Sequence, residues 1–172
     1  LDLEPLVTET VKILQPLIVD KNLTVEILTD EDLPRADVDA DLIRQVLVNL
    51  VGNAVKFTPR EGRITITISE MESSVSVSVA DNGPGIPAAD IQRVFREFYR
   101  ADGQTAKEDG TGLGLTIARH IVNLHGGHIE VRRRKSGGSD FLFLVPKETG
   151  AAEKLPFDLG PHVDPTEARK LV

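Results

Sequence analysis

Apolar residues recur at three- and four-residue spacings at Leu3, Leu6, Val7, Ile13, Leu14, Leu17 and Ile18, the period of one helical face. This predicts a first helix ending near Asp20, with Pro5 suited to its first turn and Pro16 expected to bend or divide it. Leu23 to Leu28 then alternates apolar and polar positions as a half-buried strand does. A short extended piece around Ala36 to Val38 leads to Asp39 or Asp41, either of which suits a helix N-cap. Helical period resumes through Leu42, Ile43, Val46, Leu47, Leu50, Val51 and Ala54 and runs to about Phe57, where Thr58-Pro59 stops it.

The second half of the chain opens with strict alternation. Ile64, Ile66 and Ile68, then Val75, Val77 and Val79, predict an antiparallel pair over Arg63 to Ser69 and Val75 to Ala80. After Asp81-Asn-Gly-Pro-Gly85 come a short amphipathic piece, Ala88 to Phe98, and a polar stretch, Arg100 to Asp109, expected to be a mobile loop. A third helix, Leu113 to Leu124, is stopped by Gly126-Gly127. Strands His128 to Arg133 and Phe141 to Val145 follow, joined across Ser136-Gly-Gly-Ser139. The order predicts an α+β, two-layer sandwich: a mixed sheet of about five strands covered on one face by three helices. Residues 1–147 read as one domain. Residues 148–172 lose periodicity and gather Pro156, Pro161 and Pro165, as a tail or linker does.

Length and composition narrow the function. A chain of 172 residues with 40% apolar content suits one ordinary globular domain. The net charge of -7 argues against nucleic acid or an anionic membrane surface as the main partner. Aromatics at 4%, with no Trp, argue against extensive stacking on bases. The basic run Arg132-Arg-Arg-Lys135 therefore reads as a solvated strand end rather than a nucleic-acid patch. With no Cys, neither a disulfide nor a thiolate metal site exists. No apolar run is long enough to span a bilayer, and no signal-peptide pattern opens the chain. The first residue is Leu1 rather than Met, which suggests a longer parent protein.

The chemistry is most legible in Gly110-Thr-Gly-Leu-Gly114, where alternating glycines open directly into the third helix. Glycines bring backbone N–H groups close to an anion, and the helix start aims its unpaired donors and positive dipole end at the same place. The run is neither the dinucleotide G-x-G-x-x-G nor the G-K-[ST] P-loop.

Three other segments accompany it in order: Asn49-Leu-Val-Gly-Asn53-Ala-Val-Lys56-Phe, Asp81-Asn-Gly-Pro-Gly85-Ile86, and Val94-Phe-Arg-Glu-Phe98-Tyr99-Arg100. The four resemble the N, G1, F and G2 boxes of the histidine-kinase-like ATPases, the GHKL or Bergerat-fold superfamily, over roughly residues 1–147. The resemblance implies ATP and Mg²⁺ as ligands. Asn53 would coordinate Mg²⁺, an ion that keeps several waters, takes nucleotide phosphate oxygens and needs only one or two protein oxygens. Lys56 would reach the phosphates as a point charge, with Asn49 alongside. Asp81 is locally readable as a plain Asx turn. The resemblance instead makes it an acceptor for the adenine exocyclic amine, with Gly83, Gly85 and Ile86 against the base. Phe95 and Phe98 are either core anchors or the border of a nucleotide lid entered at Tyr99 and Arg100. Arg100 would contact phosphate, and Gly110, Thr111, Gly112, Leu113, Gly114 and Leu115 would form the phosphate cradle.

Hydrolysing members of the superfamily carry a Glu one helical turn before the Mg²⁺ Asn, as base for an attacking water. Here that position is Asn49, whose amide cannot take the proton. A histidine kinase needs no such base, because phosphoryl transfer asks mainly for positioning and charge neutralisation. The resemblance is therefore strongest to the catalytic domain of two-component sensor kinases, with Asn53, Lys56 and Arg100 in the reaction. An ATPase, an anti-sigma-like serine kinase and a non-catalytic ATP-binding module remain alternatives. None of His120, His125, His128 and His162 sits in the family's phosphoacceptor setting. The accepting histidine is expected outside this chain, on a dimerisation hairpin, with a response regulator as indirect partner. The expected setting is cytoplasmic, without membrane contact by this chain. The tail either begins a helix at Asp164-Pro165 or, from Arg169, the first strand of a receiver domain.

Overall fold

The computed structural model describes residues 1–97, 99 and 112–148. The polar loop expected over Arg100 to Asp109 and the tail from residue 149 lie outside them.

Helix α1 spans Leu3–Asp20 and α2 spans Ala40–Phe57. Asp39 caps α2, its carboxylate accepting from the Asp41 and Leu42 N–H groups at 2.9 and 3.0 Å. That settles the choice between the two aspartates: Asp41 lies in the first turn, where its charge meets the positive end of the helix. Pro16 does not divide α1, which runs through it. Pro16 and Lys12 are both exposed, so water can satisfy the carbonyl that the missing N–H leaves four residues earlier.

Strands β1 (Thr24–Thr29), β2 (Arg63–Glu70), β3 (Ser74–Asp81), β4 (His128–Arg133) and β5 (Ser139–Pro146) form one sheet in the order β1-β2-β3-β5-β4. Only β1 and β2 are parallel; the other neighbours are antiparallel. Register explains the alternation. Ile66, Val79, Phe141 and Val131 pair across one row, and Ile68, Val77, Phe143 and Ile129 across the next, so one face of the sheet is continuously apolar. The opposite face carries Thr67, Ser78 and Leu142 in the intervening row.

Helices α1, α2 and α3 (Gly114–Leu124) supply Val7, Ile43, Leu47, Leu50, Val51 and Val122 to the same buried cluster. Each fully buried large side chain, such as Phe143, Ile66 or Leu47, stabilises the fold by about 1.5 to 3 kcal/mol. Helix α3 ends where Gly126, at φ +68°, reverses the chain. The Gly127 N–H then bonds back to the Val122 carbonyl at 2.9 Å.

Over its described residues, the short amphipathic piece from Ala88 to Glu97 takes the form of successive turns, with N–H groups of Asp90, Arg93, Val94 and Arg96 bonding three or four residues back. Phe95 is nonetheless anchored, its ring edge-on to Phe141 with centroids 6.2 Å apart. No helix among the described residues is long and apolar enough to cross a membrane.

Candidate functional site

Alternation along β3 puts Val75, Val77 and Val79 on the apolar face, and the same period carries Asp81, the last residue of the strand, onto that face. A carboxylate thus occupies the place of the next valine, with only 5% of the residue exposed. Its Oδ1 accepts from the Gly83 N–H at 2.8 Å and faces the Ser139 N–H at 3.4 Å. Neither contact uses Oδ2. Burial raises the Asp81 pKa above the usual carboxylate value, and Asp140 nearby adds to the rise. The Gly83 and Ser139 N–H groups and the Arg134 guanidinium pull it back. Burying a carboxylate at the end of a hydrophobic row costs stability, which makes the position a candidate for binding.

Asp81 lines a cavity of about 300 Å³ between the helix layer and the end of the sheet. Helix α2 contributes Asn49, Asn53 and Lys56, whose spacings of four and three residues place them on one helical face. The loop after β3 contributes Gly85 and Ile86. Tyr99 closes one side, and Gly112, Gly114 and Leu115 enter from the start of α3. Segments far apart in the chain thus converge as expected. Gly83 and Leu113 do not line the cavity. Gly83 instead packs under Asp81, where a Cβ would lie 2.9 Å from Asp81 Oδ1. Phe98, Arg100, Gly110 and Thr111 lie outside the described residues.

Gly114 is tight against the opposite wall, since a Cβ there would come 2.7 Å from Asn49 Oδ1. The cavity chemistry suits a metal–nucleotide complex better than a bare ion. No cluster of three or more His, Cys, Asp or Glu that could hold a metal occurs among the described residues. Asn53 would offer one amide oxygen, leaving the other ligand positions to phosphate and water, as Mg²⁺ prefers.

Two side chains that support this site carry no sequence signal of their own. Lys21, just past the end of α1, donates to the Val55, Lys56 and Thr58 carbonyls at 2.9, 2.6 and 2.8 Å, closing the end of the helix that bears Asn53 and Lys56. Within the run 132–135, Arg132, Arg133 and Lys135 are exposed as expected, but Arg134 is half-buried and donates to the Asp81 carbonyl at 2.8 Å. The reading of that run as wholly solvated is corrected here: the tight β4–β5 turn folds Arg134 back over β3.

Among the described residues, no histidine lines the cavity. His125 accepts from the Asp39 N–H through Nε2 at 3.1 Å, so its Nδ1 carries the proton and donates to the Ile121 carbonyl at 2.8 Å. It joins the end of α3 to the cap of α2. His120 and His128 are exposed, and His162 lies outside the described residues.

A family model described as histidine kinase-, DNA gyrase B-, and HSP90-like ATPase matches residues 38–149. The adaptive-response sensory kinase SasA of Gloeothece citriformis is 42% identical over 145 residues, covering 84% of this chain and 37% of that protein. The catalytic domain of histidine kinase ThkA superposes with a TM-score of 0.75 at 36% identity, covering 84% of this chain and 94% of that one. ThkA solved in complex with the response regulator protein TrrA matches with a TM-score of 0.73 at 34% identity, covering 86% of this chain and 41% of that one. The chain spans less than two-fifths of the length of SasA.

Proposed function

We propose, for a chain that belongs to the family of histidine kinase-, DNA gyrase B- and HSP90-like ATPases, that it binds Mg-ATP and passes the γ-phosphoryl group to a histidine on a helical hairpin outside this chain. The parent protein would then hand the phosphoryl group to a response regulator in the cytoplasm. Residues 1–147 act as the catalytic domain, followed by a tail.

The observation that carries the reading is the buried Asp81 carboxylate facing a cavity whose other walls bear Asn53, Lys56 and the glycines of the α3 start. Asp81 accepts the adenine exocyclic amine. Guanine would present its O6, another acceptor, to the same carboxylate and leave it unpaired. Asn53 holds Mg²⁺, which when bound neutralises charge on the phosphate oxygens. Lys56 adds a positive charge at the phosphates; of the residues outside those described, Arg100, Gly110 and Thr111 are assigned to phosphate and Phe98 to the border of the nucleotide lid on the resemblance alone. Among the described cavity residues Asp81 is the only carboxylate, and this reading commits it to the adenine amine. Asn49 stands where hydrolysing branches carry Glu. Transfer to an imidazole, which brings its own lone pair, needs no such base.

The test is to incubate the chain with γ-labelled Mg-ATP and a separately produced histidine-bearing hairpin of the parent kinase. Acid-labile label on the hairpin is expected. Label that stays in ATP while nucleotide is bound, or appears only as inorganic phosphate, would contradict the reading.

A further inference from the structure

The β4–β5 hairpin reaches Asp81 through residues that belong to none of the four boxes. The registered pairing of β3 with β5 ends at Ala80 opposite Asp140, so Asp81 lies one residue past the ladder. Its carbonyl takes the Arg134 guanidinium, at 2.8 Å, in place of a strand N–H. Two further approaches hold the same junction. Gly138, at φ +88°, packs so closely that a Cβ would stand 2.0 Å from the Asp81 carbonyl oxygen. Ser139, the next residue, aims its N–H at Asp81 Oδ1. The hairpin therefore grips both the peptide and the carboxylate of one residue.

We propose that Arg134 is a positioning residue of the nucleotide site: by clamping the Asp81 peptide to the hairpin tip, it sets the direction in which the carboxylate meets the purine. It thereby contributes to affinity for adenine nucleotides and to their preference over guanine nucleotides. This rests on the assignment of Asp81 to adenine. The charged groups acting on Asp81 are Arg134, which favours the ionised form, and Asp140, which opposes it. Removing Arg134 takes away one of the groups that favour the ionised form, beside the Gly83 and Ser139 N–H groups that remain, so a positioning loss is accompanied by an upward move of the pH below which adenine nucleotide affinity falls.

Calorimetric titration of the 172-residue chain with Mg-ADP and Mg-GDP tests this, using Arg134→Met, Arg134→Lys and the exposed control Arg133→Met. Arg134→Met is expected to weaken ADP binding by about 5- to 15-fold, to narrow the ADP-over-GDP ratio, and to shift the ADP affinity profile to higher pH. Arg134→Lys, which keeps a charged donor, should return to within about 3-fold of the parent. Arg133→Met should match the parent. Parental ADP affinity and pH profile in Arg134→Met would overturn the proposal, as would an equal loss in all three variants. If Arg134→Met does not fold by circular dichroism, Arg134→Gln carries the test, and parental behaviour in it overturns the proposal equally. Asp81→Asn measured alongside separates two failures. If it leaves ADP affinity intact, the adenine assignment falls and takes this proposal with it; if it alone weakens binding, only the role of Arg134 falls.

Discussion

Lys21 donates from its ammonium to the backbone carbonyl of Lys56 at 2.6 Å, across 35 positions of sequence. The same ammonium reaches the Val55 and Thr58 carbonyls, so one cation satisfies the last acceptors of α2 and complements the negative end of its dipole. The neighbouring loop is stitched to the same place: the Glu61 N–H bonds to the Lys21 carbonyl at 2.9 Å, and Arg60 pairs with Asp20 at 3.3 Å. Lys21→Met should destabilise the domain by about 1 to 3 kcal/mol. It should also weaken Mg-nucleotide binding, because the turn it closes carries Lys56 and follows Asn53. Urea unfolding with a parental midpoint would contradict this.

Asp81 sets function against stability. Its native pKa is raised, so between the unfolded and folded values the native state holds the proton more tightly, and stability falls as pH rises through the folded pKa. The stabilising share is fully present only below the unfolded value, about 3.9. Asn at this position removes the buried charge yet keeps an oxygen for the Gly83 N–H. Asp81→Asn should therefore raise the thermal midpoint at neutral pH, with the gain shrinking as pH is lowered toward that value. Mg-ADP affinity should meanwhile drop about 5- to 150-fold. Melting curves and titrations over the same pH range check both halves; a large loss of stability at neutral pH would show that the carboxylate is structural instead.

Asn49 lines the cavity, its amide oxygen facing the tight Gly114 position. A carboxylate there would stand where hydrolysing members of the family carry their base. Asn49→Glu should let the chain release inorganic phosphate from Mg-ATP above the parental background, by about 10²-fold if general base catalysis is restored. Turnover indistinguishable from that of the parent, with nucleotide still bound, would mean that the amide is not what withholds hydrolysis.

The strands and helices were legible because alternation and helical period are local signals: Ile64 to Ile68, Val75 to Val79 and the α2 face all pack as their spacing implies. The cavity was legible wherever a box carried a recognisable residue, as with Asn53, Asp81 and Gly112. Asp81 was ambiguous in sequence between a turn residue and a ligand because one position serves two geometries: Oδ1 makes an Asx contact to Gly83 while the residue lines the cavity. Lys21 and Arg134 were invisible for a different reason. Their partners are backbone carbonyls 34 to 53 positions away, and a carbonyl leaves no trace in residue identity. Pro16 was expected to bend or divide α1, and it does not divide it: at this exposed turn water can satisfy the carbonyl its missing N–H leaves.

The most direct test of the central claim is ADP release from Mg-ATP by this chain alone, with nucleotide binding measured in the same sample and Asp81→Asn as control. The account expects binding that the substitution weakens by about 5- to 150-fold, with negligible ADP released, as for a kinase domain awaiting its histidine. Sustained ADP release that Asp81→Asn abolishes would contradict it and place the chain among the hydrolysing branches.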